Sequence, residues 1–462
     1  MQPRRYRSVS YWFDALGAEP QVRGPLPGDL EVDVAIVGGG FTGLWTAYYL
    51  KRADPDCRVA VLERETAGYG ASGRNGGWCW AKLAGLPEYV ARDPERGAAL
   101  RDAVMGSVDE IGGICEREGI EADFRKAGGF MLASVPAQVA RLRAMLKTVR
   151  QMGLDAAQYR WVEPAEMTEH FRVAANFGAV FMANCAGVNP AALARGIADA
   201  AERRGAAIYE QTPVLDVAPG LVRTAHGNVR AARIVLALAG YLAQLPGHRR
   251  DVLPCYNHMI ATEPLPRETW ERIGLARREG FGDVSRMLAY GQRTHDDRIA
   301  IGGRGLGYHF GSSIDARFDR DARTHRLLEK TLHELLPQLG DVAITHRWGG
   351  VFGMPRDLTA ALRMDEATGI AVAPSYVGDG VAASNLAGRT LCDLVLERRS
   401  PLVEFPWVTH RAPRWEPEPL RWLGVRAGLA LNASAERSER RSGRLPPLRD
   451  RVLRSIGLDF SY

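Results

Sequence analysis

Residues 34–45 read VAIVGGGFTGLW: an apolar run stops at three glycines and a helix-like stretch begins. No other part of the chain restricts the fold so tightly. Gly38, Gly40 and Gly43 form G-x-G-x-x-G between a predicted strand, residues 32–37, and a predicted helix, residues 42–51. Gly38 permits the tight turn, Gly40 lets the backbone approach a pyrophosphate, and Gly43 lets the helix pack closely on the sheet. The head of that helix, at Phe41 and Thr42, offers free N–H groups and a positive dipole end to phosphates. A second strand is predicted over residues 57–65. Glu63 ends it, 20 residues after Gly43, where an acid holds adenosine ribose hydroxyls. A lone glycine motif is a weak signal. With strand, glycines, helix, strand and acid in register, the segment predicts a dinucleotide site; the bland alternative is a close strand-helix turn with an unrelated glutamate.

Glu63 repels the 2′-phosphate of NADP, although Arg64 stands beside it, so NAD and FAD remain. A second glycine-rich stretch, GASGRNGG at residues 70–77, bears on that choice. NAD folds have no fixed need for another glycine turn there, whereas the longer flavin cofactor must run onward across the domain. Ser72, Arg74 and Asn75 are candidates to contact the pyrophosphate and ribityl, with Gly76 allowing backbone approach. An ordinary surface turn uses the same residue types.

At 462 residues the chain suits two to three domains or one two-lobed enzyme. Its 46% apolar and 25% charged content is that of a globular protein, and no run of eighteen apolar residues predicts a membrane span. The N-terminal stretch has no apolar core of a secretory signal. The six cysteines are scattered, with no metal-binding spacing, which suits free thiols in the cytoplasm. The net charge of +6 raises nucleic-acid binding as a reading, but the arginines alternate with acids over most of the chain. The exception is an arginine excess over residues 438–455, which reads as a solvated tail or helix face.

Along the chain, SYWFD (residues 10–14) is aromatic and should pack on something. Helices are predicted over residues 95–119, 136–152 and 319–338, and a strand over residues 128–134. Asn189 and Pro190 open a further helix as N-cap and first position, Gly205 closes it, and AAIYEQTPV follows as one strand. Another strand covers residues 232–240, short strands fill residues 253–310, and the stretch from residue 369 reads as strand, glycine turn, helix. Alternating strands and helices predict α/β, interrupted so that two lobes are woven from discontinuous segments.

Here the chain resembles a family: the FAD-dependent amine and amino-acid oxidoreductases of the D-amino-acid oxidase type. The segments VDVAIVGGGFTGLWTAYYL, VAVLERETAGYGASGRNGG, GVNPAALARGIADAAERRGAAIYEQTPV and SYVGDGVAASNLAGRTLCDLV carry the likeness, which looks closest to the γ-glutamylputrescine oxidase branch. The resemblance implies a Rossmann-like FAD-binding domain (residues 31–90, 185–250 and 341–400) interleaved with a mixed-sheet substrate-binding domain (91–184 and 251–340), an N-terminal arm (1–30) and a C-terminal extension (401–462). It implies adenine contacts near Val214. It also sets a helix N-terminus, at Gly378, Gly380 and Val381, by the flavin edge that carries negative charge on reduction. No histidine lies near residues 70–77 and Cys392 sits well into the last helix, so FAD is expected to be held non-covalently.

The activity so implied is oxidation of a C–N bond of a small amine or amino acid, with oxygen as acceptor. Alternatives are a dehydrogenase using a quinone or carrier, a flavin-dependent RNA-modifying protein, and a flavoprotein scaffold without turnover. No metal is needed. Substrate residues should come from the second lobe, where GGRGLGYHF offers Arg304, Tyr308 and His309 and HRWGGVFGMPRD offers His346, Arg347, Trp348 and Arg356. Arg304 with Tyr308 would suit a carboxylate and Trp348 an amine, and these three are the catalytic candidates. His258 is a weaker candidate, since a strand histidine is usually structural.

Overall fold

Strand β1 (Leu30–Val37) is buried on both faces from Val34 onward, as a central parallel strand must be. It leads into helix α1 (Phe41–Ala53) and strand β2 (Val59–Leu62). In the computed structural model, which describes residues 5–446, 449, 451 and 453, these begin an eight-stranded sheet. Helix α2 (Pro94–Glu118), helix α3 (Pro190–Arg203) and strand β3 (Asn228–Leu236) follow in the chain. Next come β4 (Leu253–Thr262), β5 (Ile344–Met354), β6 (Ile370–Ser375), α4 (Gly380–Val395) and α5 (Leu420–Ser442). Across the first sheet the order is Ala361–Asp365, β6, β3, β1, β2, Ala207–Tyr209, with a hairpin from Val214–Ala218 and Leu221–Thr224 beside β3. All pairs from β6 to Ala207–Tyr209 are parallel. Successive side chains alternate between two cores: Ile36 joins the one under α1 and α4, and Ala35 joins the one under the hairpin.

A second eight-stranded sheet runs β5, β4, Ile299–Gly303, Ala289–Arg293, Gly280–Asp283, Gly129–Leu132, Ala179–Met182, Tyr159–Val162. It is antiparallel except where Gly280–Asp283 meets Gly129–Leu132. Helix Ala322–Leu335 covers it through Leu328 and Leu332. The fold is thus two interleaved α/β lobes.

Three boundaries differ from the sequence reading. Ile344–Met354, assigned above to the cofactor lobe, is the edge strand of the second sheet, paired with β4 from Leu253↔Met354 to Thr262↔Ile344. The stretch AAIYEQTPV is not one strand: Ala207–Tyr209 joins β2, Gln211 turns the chain at φ +53°, and Val214 opens the hairpin. The C-terminal extension does not stand apart, because α5 docks on the second lobe through buried ion pairs. Parts of it, including residues 454 and 455 of the arginine-rich stretch, lie outside the described residues. The remaining helices form as read. Asn189 caps α3 by accepting the Ala191 and Ala192 N–H groups, both at 3.1 Å. In the N-terminal arm Tyr11, Trp12 and Phe13 are buried with Trp348 and Met259, and Trp12 Nε1 donates to the Asn75 carbonyl at 2.6 Å. The arm therefore wedges between the lobes. Among the described residues no helix is long and apolar enough to cross a membrane.

Candidate active site

A cleft opens at the carboxyl ends of the parallel strands, where α/β sheets bind ligands. Val37, Leu62, Ala237 and Ser375, at or next to the ends of β1, β2, β3 and β6, all line it. At one end the glycine turn is set by contacts that exclude a side chain. Gly38 has φ +109°, and a β-carbon at Gly43 would lie 2.0 Å from the Gly38 carbonyl oxygen. Glu63 closes this end. Its carboxylate accepts the Gly39 N–H at 2.7 Å and the Glu65 N–H at 2.9 Å. Loss of hydration pushes that carboxyl up to about 7, against the pull of the two N–H donors. Ser72 reaches the head of α1, where its hydroxyl accepts the Phe41 N–H at 2.8 Å. Arg64 lies over the Tyr241 ring at 4.9 Å, and Thr212 and Val214 complete the wall.

At the other end β6 runs into Tyr376, Gly378 (φ +97°) and the head of α4. Gly378, Gly380, Val381 and Ser384 line the cleft there. The Tyr376 hydroxyl and Thr42 Oγ1 are hydrogen-bonded at 2.8 Å, which ties the head of α1 to the approach to α4. Two helix N-termini thus meet one continuous cleft. Next to Gly378, Asp379 pairs with Lys82 at 3.1 Å, and the Lys82 ammonium lies over Trp80 at 4.8 Å. Burial lowers the pKa of Lys82 while Asp379 raises it, with burial prevailing. Sequence reasoning missed Tyr241, Lys82, Tyr376 and Asp379. Only the last two had a local signal, since they flank the late glycine turn.

Gly38, Gly40, Phe41, Thr42, Glu63, Arg64, Ser72, Asn75, Val214, Gly378, Gly380 and Val381 all line the cleft. Gly43 acts behind it, in helix-strand packing. Arg74 and Gly76 do not reach it. Arg74 is 4% exposed and turned toward the second lobe, with Nη1 at 2.6 Å from Asp319 and 3.0 Å from the Gly349 carbonyl. Its guanidinium stacks 4.4 Å over Tyr69. A β-carbon at Gly76 would lie 2.2 Å from the Tyr290 ring, so this glycine admits an aromatic side chain rather than a ligand. Asn75 lines the cleft but spends its amide on the loop, donating to the Ala71 and Ser72 carbonyls, both at 3.0 Å.

None of the three catalytic candidates lines the cleft. Arg304 sits in an ion-pair cluster with Glu436 at 2.8 Å and Asp283 at 3.4 Å, and donates to Thr331 at 3.0 Å. Tyr308 is buried and donates to Glu418. Trp348 donates to the Arg74 carbonyl at 2.8 Å and packs on Trp12. For Arg304 and Tyr308 the reason is the C-terminal extension, whose Glu436 and Glu418 take them as partners, and for Trp348 it is the N-terminal arm, against which it packs. His346 pairs with Asp14, Arg347 with Glu329 and Arg356 with Glu416, while His309 stacks on Phe318. His258 meets the Phe318 carbonyl at 3.0 Å, and burial lowers its pKa.

The site fits an extended dinucleotide. Glu63 could accept from hydroxyls, and the heads of α1 and α4 could each receive negative charge. The family model described as DAO, FAD dependent oxidoreductase, matches residues 33–394. The γ-glutamylputrescine oxidoreductase of Escherichia coli (strain K12) is 32% identical over 381 residues, covering 79% of this chain and 83% of that protein. Glycine oxidase of Geobacillus kaustophilus (strain HTA426) is 26% identical over 376 residues, 79% and 92% of the two chains. The crystal structure of glycine oxidase from Geobacillus kaustophilus superposes with a TM-score of 0.70 at 23% identity, covering 82% of this chain and 99% of that one.

Proposed function

Because the chain belongs to the DAO family of FAD-dependent oxidoreductases, we propose that it oxidises the C–N bond of a small amine or amino-acid-like substrate, with molecular oxygen as acceptor. The observation that carries this reading is the single cleft with a helix N-terminus at each end, in a chain 32% identical to γ-glutamylputrescine oxidoreductase. Bound FAD supplies the two-electron acceptor for such an oxidation. Glu63 would accept from the ribose hydroxyls, and the Thr42 N–H, with the Ser72 hydroxyl that accepts the Phe41 N–H, would receive the pyrophosphate. Thr212 and Val214 border the adenine. The N–H groups at the head of α4 stabilise the charge that builds on reduction. Cys392 is buried in α4, and the cofactor is held without a covalent bond.

Lys82 and Asp379 extend the proposal to the substrate. The pair is half-buried and stands just outside the cleft lining, next to Gly378 and Gly380 at the head of α4. It presents one charge of each sign, with Trp80 as an apolar wall, which suits a substrate carrying both an amine and a carboxylate.

Anaerobic bleaching of the bound flavin by a panel of glycine, sarcosine, γ-glutamylputrescine and simple alkylamines tests this reading. Bleaching by at least one panel member, followed by hydrogen peroxide release on admission of air, is expected. A flavin that no amine bleaches refutes C–N oxidation, and bleaching without peroxide refutes oxygen as acceptor. Lys82→Met should raise KM for zwitterionic substrates more than for alkylamines. Flavin that stays with the acid-precipitated chain would refute non-covalent binding.

A further inference from the structure

The outer face of α5 has no part in the cofactor cleft, yet its residues are sorted by charge. Both of its glutamates turn toward the second lobe. Glu439 is 1% exposed and pairs with Arg141 at 3.0 Å and Arg286 at 2.6 Å, and Glu436 pairs with Arg304. Its first turns instead expose Leu420, Leu423, Gly424, Arg426, Ala427 and Ala430. Arg437 and Arg441 follow on the exposed side, while Arg440 pairs with Glu436 at 3.4 Å and Glu334 at 3.8 Å. Leu420 and Leu423 are 62% and 53% exposed. Beside them Phe310, 59% exposed, meets Trp422 edge-on at 6.3 Å. A merely solvated helix face would carry its acids outward and its leucines inward. Here the exposed positions are leucine, alanine, glycine, arginine and a closing serine.

We propose that this face seats the protein on the surface of an anionic lipid bilayer. Leu420, Leu423 and Phe310 enter the headgroup boundary, Trp422 suits the interface, and the arginines meet lipid phosphates. The arginine excess noted in the sequence thereby acquires a partner. A nucleic acid would use the arginines but leave the apolar strip in water. A second copy docked through the same face would set arginines against arginines.

Flotation of the FAD-loaded full-length protein tests this, with vesicles of phosphatidylcholine alone and of phosphatidylcholine mixed with phosphatidylserine. Binding is expected to the mixed vesicles only, weakening as salt is added. Leu420→Glu/Leu423→Glu, on exposed positions remote from the cleft, should lose at least about tenfold in vesicle partitioning while keeping flavin content and melting temperature. No binding to the mixed vesicles at low salt overturns the proposal, as does undiminished binding of the double variant. It is also overturned if the double substitution merely dissolves a dimer, or if RNA binds tightly and vesicles do not.

Discussion

Gly43→Ala tests the packing on which the adenosine end of the site depends. The added β-carbon would lie 2.0 Å from the Gly38 carbonyl oxygen and 3.1 Å from Ile36 Cγ2. Neither neighbour can give way: the first is backbone of the glycine turn, and the second is fully buried in β1. Restoring ordinary contact requires α1 to retreat by roughly 1.4 Å in a close-packed interior. Overpacking of this kind costs about 1–3 kcal/mol, partly offset by the roughly 0.5–1 kcal/mol that alanine gains over glycine in a helix. The retreat would also draw the Thr42 N–H, and the Ser72 hydroxyl tied to the Phe41 N–H, out of place for a bound pyrophosphate. Losing one hydrogen bond to a charged group costs about 1.5–3 kcal/mol, which corresponds to FAD affinity lower by roughly ten- to a hundredfold. Gly106→Ala on α2 is the control. It is the same change in a helix, but with nothing within 4 Å of the new carbon, so it should stabilise slightly and leave FAD affinity alone. Titration of the deflavinated protein with FAD, read by flavin fluorescence, and urea unfolding give both quantities. Wild-type FAD affinity in Gly43→Ala, or a shift of both variants in the same direction, would refute the packing argument.

Four further outcomes follow from the geometry. With the Glu63 carboxyl raised from 4.5 to about 7, FAD affinity should climb as pH rises through about 7, because ribose hydroxyls donate to the ionised form; Glu63→Gln should flatten that profile. The same raised value makes the stability Glu63 contributes to the deflavinated protein full below about 4.5 and lost as pH rises through about 7, a loss that urea midpoints across that range should show and Glu63→Gln should abolish. Glu439→Gln leaves Arg141 and Arg286 without their shared counter-charge and should cost about 3–5 kcal/mol in urea unfolding; a cost within about 0.5 kcal/mol, typical of a surface change, would show that α5 is not held there. Arg304→Met should destabilise by breaking the cluster with Asp283 and Glu436, yet leave the rate of flavin bleaching in the folded enzyme near that of the wild type; a large fall in rate at unchanged stability would return Arg304 to the chemistry.

How far the sequence could be read depends on distance along the chain. The glycine turn, α1, β2 and Glu63 lie within one short segment, and their geometry follows from local rules: a strand that must stop, glycines that must turn, an acid at the next strand end. The far end of the cleft is assembled by topology. Lys82 meets Asp379 because strand Trp78–Trp80, paired with Cys185–Gly187 in a small separate sheet, packs against α4, and no pattern near residue 82 announces it. Arginines are the least legible of all, because one guanidinium suits a phosphate, a substrate carboxylate or a buried acid equally well. Arg74 stands among four glycines, where phosphate recognition is a fair reading, and its partner Asp319 lies 245 residues further on. That partner bears on the cofactor as well. With Arg74 committed to Asp319 and the second lobe, Arg64 is the one cationic side chain lining the cleft among the described residues, and it rests on Tyr241. On the proposed reading, the charge of a bound pyrophosphate would be met chiefly by backbone N–H groups and the dipole of α1. A site built that way depends on where the helix sits more than on which side chains surround it, and so places its strictest demand on Gly43, a residue that never touches the ligand.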